Sequence, residues 1–219
     1  MRFLATVVSY IFHPLFVLVY MLSLLLVMNP YLIQIQDDKV RVTFFVYSLM
    51  SLVVMPIIAI IILKQVKIIS SFDMTSRMER IGPLIIVGIL YIWMYINYKN
   101  TSSVPVIFSV FLLGSVFSVF TSFFINNFTK ISLHTVGMGG FVAALFIIKF
   151  NLHYESLKLD IGDFGALQIN TYFILLVIII IAGLVGTIRL FLKSHTKDQV
   201  YFGYLVGFLS QIFAYKIIM

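Results

Sequence analysis

The chain has 219 residues, 62% of them hydrophobic and only 11% charged, with a mean hydropathy of +1.11. Soluble domains carry roughly a quarter of charged residues, so this composition excludes a soluble fold and reads as a polytopic membrane protein. The net charge of +7 comes from 15 Lys and Arg against 8 Asp and Glu. In a membrane protein such an excess marks topology signals and contact with anionic headgroups, and it argues against nucleic acid as a partner. With no cysteine in the chain, disulfides, thiolate metal sites and thiol catalysis are excluded.

Apolar runs close to the ~20 residues that cross a ~30 Å hydrocarbon core recur along the whole length. The first is expected over residues 3–28, as a retained helix and not a signal peptide, because a small-residue cleavage site is missing. Asn29-Pro30 ends it and opens a polar turn through Gln34, Asp37, Asp38, Lys39 and Arg41. A second span over 42–63 contains Pro56, read as a kink. The most charged loop, 64–82, follows, and Pro83 suits the first turn of a short third span over 83–98. A turn at 97–103 leads to the fourth span, 104–125, closed by Asn126, Asn127 and Lys130. The fifth, 134–150, carries Gly137, Gly139 and Gly140 on a face thin enough for close helix contact. Residues 151–170, with Glu155, Lys158, Asp160 and Asp163, belong in water or at the interface. The sixth span, 171–192, ends at Arg189 and Lys193, and the seventh covers 200–219. The seventh carries Gly203-x-x-x-Gly207, a spacing for close helix packing, within the chain by preference or across a homodimer.

Span parity brings three polar clusters together. The 64–82 loop, the 130–134 turn and the 189–199 gap are each separated by two helices, so all three fall on one side of the membrane. Arg77, Arg80, Lys130, Ser132, His134, Arg189, Lys193, His195 and Lys197 then converge, with few acids among them. Guanidinium forks bind phosphate oxygens, and imidazoles attack phosphorus and move protons near neutral pH. Each basic residue alone reads first as a positive-inside signal, and because site arginines inflate that count, the orientation stays open. His13, followed by Pro14, lies about 15 Å along the first span. An ionisable group at that depth is a functional candidate by default, but the preferred reading is a neutral histidine hydrogen-bonded beside a proline kink.

These residues resemble the signature of the type 2 phosphatidic acid phosphatase superfamily: Lys-x6-Arg-Pro, Pro-Ser-Gly-His and Ser-Arg-x5-His-x3-Asp. Arg189-x5-His195 is similar to the core of the third part, and Val200 and Gly203 follow at the family's spacing. Ser132-Leu133-His134 resembles the second, with Ile131 and Leu133 in place of Pro and Gly. Arg80-Ile-Gly-Pro83 resembles a stretched first part, with Asp73 at the position of the Lys. The resemblance spans roughly 73–207 and is to a divergent branch.

Carried over, the resemblance implies that His195 is the nucleophile of a phosphohistidine intermediate and His134 the general acid. Arg189, Arg80 and Ser132 would hold the phosphoryl oxygens, with Arg77 the replacement for the missing Lys and Lys193 a further substrate contact. No cofactor or metal is implied, because arginines supply the charge. Gln199 stands where the family has the Asp that orients the nucleophile; Asp198, one residue earlier, is the other candidate for that role.

The expected architecture is therefore one all-α membrane domain over 1–219 with six to seven spans, two N-terminal helices over 1–64 preceding a phosphatase-like core over 65–219. The expected activity is metal-independent hydrolysis of a lipid phosphate or diphosphate in the plasma (cytoplasmic) membrane. The alternative is a catalytically inactive relative that binds or moves a lipid or anionic solute. An unrelated transporter is disfavoured because no inverted repeat is visible.

Overall fold

The computed structural model describes residues 2–28, 37–101, 104–160 and 166–219. The turn expected at Asn29-Pro30, the end of the 97–103 turn and Asp163 lie outside the described residues.

The chain begins with α1 (Arg2–Ile11) and α2 (Pro14–Met28), which meet at an angle of 56°. The single first span expected over 3–28 is thus corrected to a broken pair. Pro14 lacks an N–H and its ring would clash with the carbonyl of residue 10, so α2 starts afresh with Pro14 at its first position. Ala5 and Ser9 of α1 turn inward, whereas Phe3, Leu4, Val7 and Tyr10 are exposed.

The next span, Asp38–Gln65, consists of α3 (Asp38–Leu49), a π-turn over Met50–Val54 and α4 (Met55–Gln65). Asp37 caps α3 by accepting the Lys39 N–H at 2.7 Å. The wide π-turn falls immediately before Pro56, where a regular helix would need the N–H that proline lacks. A 3₁₀ turn over Met78–Arg80 leads into α5 (Ile81–Lys99), so this span starts earlier than expected and is 22 residues long. Pro83 is its third helical residue, a place with no intrahelical acceptor to lose.

The remaining helices are α6 (Val106–Asn126), α7 (Leu133–Phe146), α8 (Thr171–Phe191) and α9 (Lys197–Ile218). A second π-turn, Ile147–Asn151, extends α7. Between α7 and α8 lies an antiparallel hairpin, β1 (Ser156–Asp160) and β2 (Ala166–Asn170), with Ser156 opposite Asn170. This hairpin was not anticipated in a chain read as all helix. Asn170 ends β2 and caps α8 by accepting the Tyr172 N–H at 2.8 Å.

Among the described residues six helices are long and apolar enough to cross a membrane, and seven spans result when α1 and α2 count as one. This is an integral membrane helical bundle. The spans of α6 and α7 are its most enclosed, and α7 lies directly against α9. That seam depends on absent side chains: a methyl at Gly207 would overlap the Val136 carbonyl oxygen, one at Gly203 the Thr135 hydroxyl, and one at Gly139 the Tyr204 carbonyl oxygen. Gly203-x-x-x-Gly207 is therefore used within the chain, the first of the two uses its spacing allows. Thr135 packs at the level of Gly203, and Val136 and Gly140 at that of Gly207, so the two helices run parallel and begin at the same end.

Candidate functional site

A cavity of about 180 Å³ opens at the end where α7 and α9 begin. Its polar wall contains His13, Asp73, Arg80, His134, Arg189 and His195, one or more from each of the three clusters that span parity placed together. Below them the lining is largely apolar, with Leu18 and Met21 from α2, Leu84 and Val87 from α5 and Val136 from α7. Ser118 and Ser122, one turn apart on α6, are hydroxyls in that wall, and Ser122 Oγ is buried with no hydrogen-bond partner among the described residues.

Four helices begin at the cavity. His13 and Pro14 open α2, Arg80 and Pro83 belong to the turn entering α5, His134 is in the first turn of α7, and His195 precedes α9. Helix N-termini carry partial positive charge, so their convergence favours an anion. Arg189, from the last turn of α8, adds a full charge.

The loop bearing His195 is fixed at both ends. The N–H of Lys193 bonds the Leu190 carbonyl at 2.9 Å and that of Ser194 bonds the Arg189 carbonyl at 3.2 Å, a Schellman closure of α8. Lys193 takes the left-handed conformation this requires, with φ of 54°. On the other side Thr196 and Gln199 form a capping box at the start of α9. His195 is thereby held between two helix ends, 8% exposed.

Gln199 has two tasks. Its Oε1 accepts the Thr196 N–H at 3.4 Å as part of the box, and it lies 2.9 Å from His195 Nδ1. Because the amide oxygen is already an acceptor, His195 Nδ1 donates, leaving Nε2 with a free lone pair. Burial lowers the pKa of His195 from 6.5 to about 4; the Gln199 hydrogen bond acts against this, and Arg80, Arg189 and Lys130 lower it further. The ring is therefore neutral at neutral pH. Asp198 is exposed and, among the described residues, makes no hydrogen bond to His195, so the orienting group is the glutamine.

His134 Nε2 is 3.1 Å from the Ser9 carbonyl oxygen. A carbonyl only accepts, so Nε2 carries the hydrogen and Nδ1 is the nitrogen left to gain or lose a proton. Arg189 Nη1 donates to Ser9 Oγ at 3.4 Å, and its buried Nε has no partner among the described residues. The C-terminal turn of α1 thus touches both groups, through a serine that sequence reasoning passed over.

Arg80 is 8% exposed. Its Nε and Nη1 donate to the carbonyls of Met74 at 3.1 Å and Ile131 at 3.0 Å, which ties the first cluster to the second and leaves further N–H groups at the cavity wall.

Three expected ligands are elsewhere. Arg77 is exposed and donates to the carbonyls of Asn127 and Phe128 at the end of α6, a helix-end contact that replaces its expected role as the missing Lys. Lys193 is exposed in the Schellman turn and does not line the cavity. Ser132 is fully buried with its hydroxyl unpartnered among the described residues, and it too lies off the cavity wall. Its backbone N–H bonds the Gln199 carbonyl at 3.3 Å, locking the start of α7 to the first turn of α9.

The structure adds His13 to the wall, its ring 5.4 Å from that of His134 and edge to face. The signal in the sequence was the His-Pro pair inside an apolar run, because irregular backbone at membrane depth is tolerated where it lines a cavity. Comparison with family models, curated proteins and solved structures returns no match.

Proposed function

We propose that this protein is a membrane-embedded phosphatase of lipid phosphates or diphosphates, built on a core like that of the type 2 phosphatidic acid phosphatases. What supports this most is the placement of His195: its Nδ1 bonded to Gln199 Oε1, which leaves Nε2 for attack, in a cavity shared with Arg80, His134 and Arg189. The apolar lower lining suits a lipid tail, so an amphiphilic substrate is favoured over a soluble one.

In the proposed reaction His195 Nε2 attacks phosphorus and the bond to the leaving oxygen breaks. Arg80 and Arg189 carry the charge that develops on the phosphoryl oxygens. His134, with Nε2–H held on the Ser9 carbonyl, takes onto Nδ1 the proton that a singly protonated phosphate ester brings into the site and passes it to the departing alkoxide; water then hydrolyses the phosphohistidine with His134 Nδ1 as base.

Purified protein should release phosphate from a lipid phosphate without added metal, and His195→Ala should lower the rate by about 10³-fold or more. Activity unchanged by that substitution would sink the mechanism.

One observation favours a second reading, a catalytically inactive binder of a lipid or anion. Gln199 accepts the hydrogen bond from His195 Nδ1–H but, being neutral, does little to stabilise the cationic intermediate. Tight vanadate binding together with turnover supports the enzyme, and binding of lipid phosphate without turnover supports the binder.

A further inference from the structure

His13 lies in the same cavity wall but outside the pair of histidines that the proposed reaction uses. We infer that His13 is a ligand of the bound anion, its Nε2–H donating to a phosphoryl oxygen. This rests on reading the cavity as a phosphoryl site.

The geometry is that of a fixed donor. His13 occupies the two-residue break between α1 and α2, and its Nδ1 accepts the N–H of Leu15 at 3.4 Å. That bond makes His13 the N-cap of α2 and places its ring hydrogen on Nε2, the nitrogen farther from the backbone. The His134 ring, 5.4 Å away and edge to face, holds the imidazole in place. Arg189 lies within electrostatic reach of His13, His134 and His195 alike. With Nδ1 engaged by the cap, His13 acts as a neutral donor and not as an acid. It lies at the positive end of the α2 dipole.

Capping alone needs only a side-chain acceptor, and asparagine is among the best residues for it. His13→Asn in the full-length, detergent-solubilised protein therefore keeps an acceptor for Leu15 while shortening the side chain and removing the ring N–H. His13→Ala removes both. Calorimetric titration with orthophosphate and orthovanadate, a melting curve without anion, and KM for a short-chain lipid phosphate separate the roles.

The expected result is that His13→Asn melts near the wild type but binds both anions about tenfold or more weakly. His13→Ala should lose both stability and affinity. Anion binding by His13→Asn as tight as that of the wild type assigns His13 to capping alone and overturns the inference. His13-dependent orthophosphate binding in a wild type without turnover keeps the inference and removes the phosphatase reading. Turnover with KM and orthophosphate affinity unchanged in His13→Asn keeps that reading and removes the inference.

Discussion

The two ends of the bundle both bury cations, and they treat them differently. At the far end Lys149, 5% exposed in the π-turn after α7, pairs with Glu155 at 2.5 Å and lies 4.4 Å from the centre of the Tyr172 ring. Its charge is answered within the protein, and the contact ties α7 to the hairpin and to α8. At the cavity end Arg80 and Arg189 bond carbonyls and a serine hydroxyl, and among the described residues neither pairs with a carboxylate. Asp73 shares the cavity wall and acts on Arg189 at a distance, but a cation whose direct bonds go to neutral acceptors keeps donors for an incoming anion, whereas one bonded to a carboxylate serves the fold.

The strongest test of this contrast exchanges the two cations for leucine. Arg189→Leu should lower kcat/KM by about 10²-fold to 10³-fold and weaken vanadate binding, while holding or raising the melting temperature because a buried charge is relieved. Lys149→Leu should leave kcat/KM within about twofold and cost about 1–2 kcal/mol of stability, since Glu155 is exposed and rehydrates when its partner goes. Loss of activity in both, or in Lys149→Leu alone, would break the distinction between the ends.

A smaller effect follows from adding an acid beside His195. Gln199→Glu puts a carboxylate beside His195 Nδ1, which favours the imidazolium and raises the pKa of this residue above about 4. Turnover should rise by roughly tenfold if charge at this position limits the phosphohistidine step, with the acid limb of the pH profile moving upward. A profile that does not move would show that Gln199 serves the capping box alone.

The smallest effect is on stability. The His195 ring binds a proton near pH 4 when folded and near 6.5 when unfolded. Between those values the unfolded chain holds more protons, so stability falls as pH drops from about 6.5 toward 4 and is level above that window. Melting curves across pH for the wild type and His195→Asn should diverge there, the variant being the flatter.

Much of this was legible in order along the chain. The positions of the spans, the hydrophobic class and the meeting of three polar clusters follow from where apolar runs stop, because a bilayer imposes length and parity on every helix. The roles of individual polar residues were less legible. Arg77 and Arg80 are three residues apart in one loop, yet one caps the end of α6 and the other bridges Met74 and Ile131 at the cavity. Asp198 and Gln199 were both eligible to orient His195, and the capping box chose Gln199 because the third residue of a helix reaches back to its cap.

Composition and hydropathy by themselves determined that this is a polytopic membrane protein whose basic and imidazole groups gather at one end of its spans. Only the tertiary structure decided which of those groups share a cavity: Arg80, His134, Arg189 and His195 in, Arg77, Lys193 and Ser132 out, and His13 added from a break in the first span. The physical reason is that burial energy is set by runs of residues, whereas the direction of one side chain is set by how a helix end is closed. Those closures, the Schellman turn before His195, the box after it and the histidine cap of α2, form from contacts that hydropathy does not record.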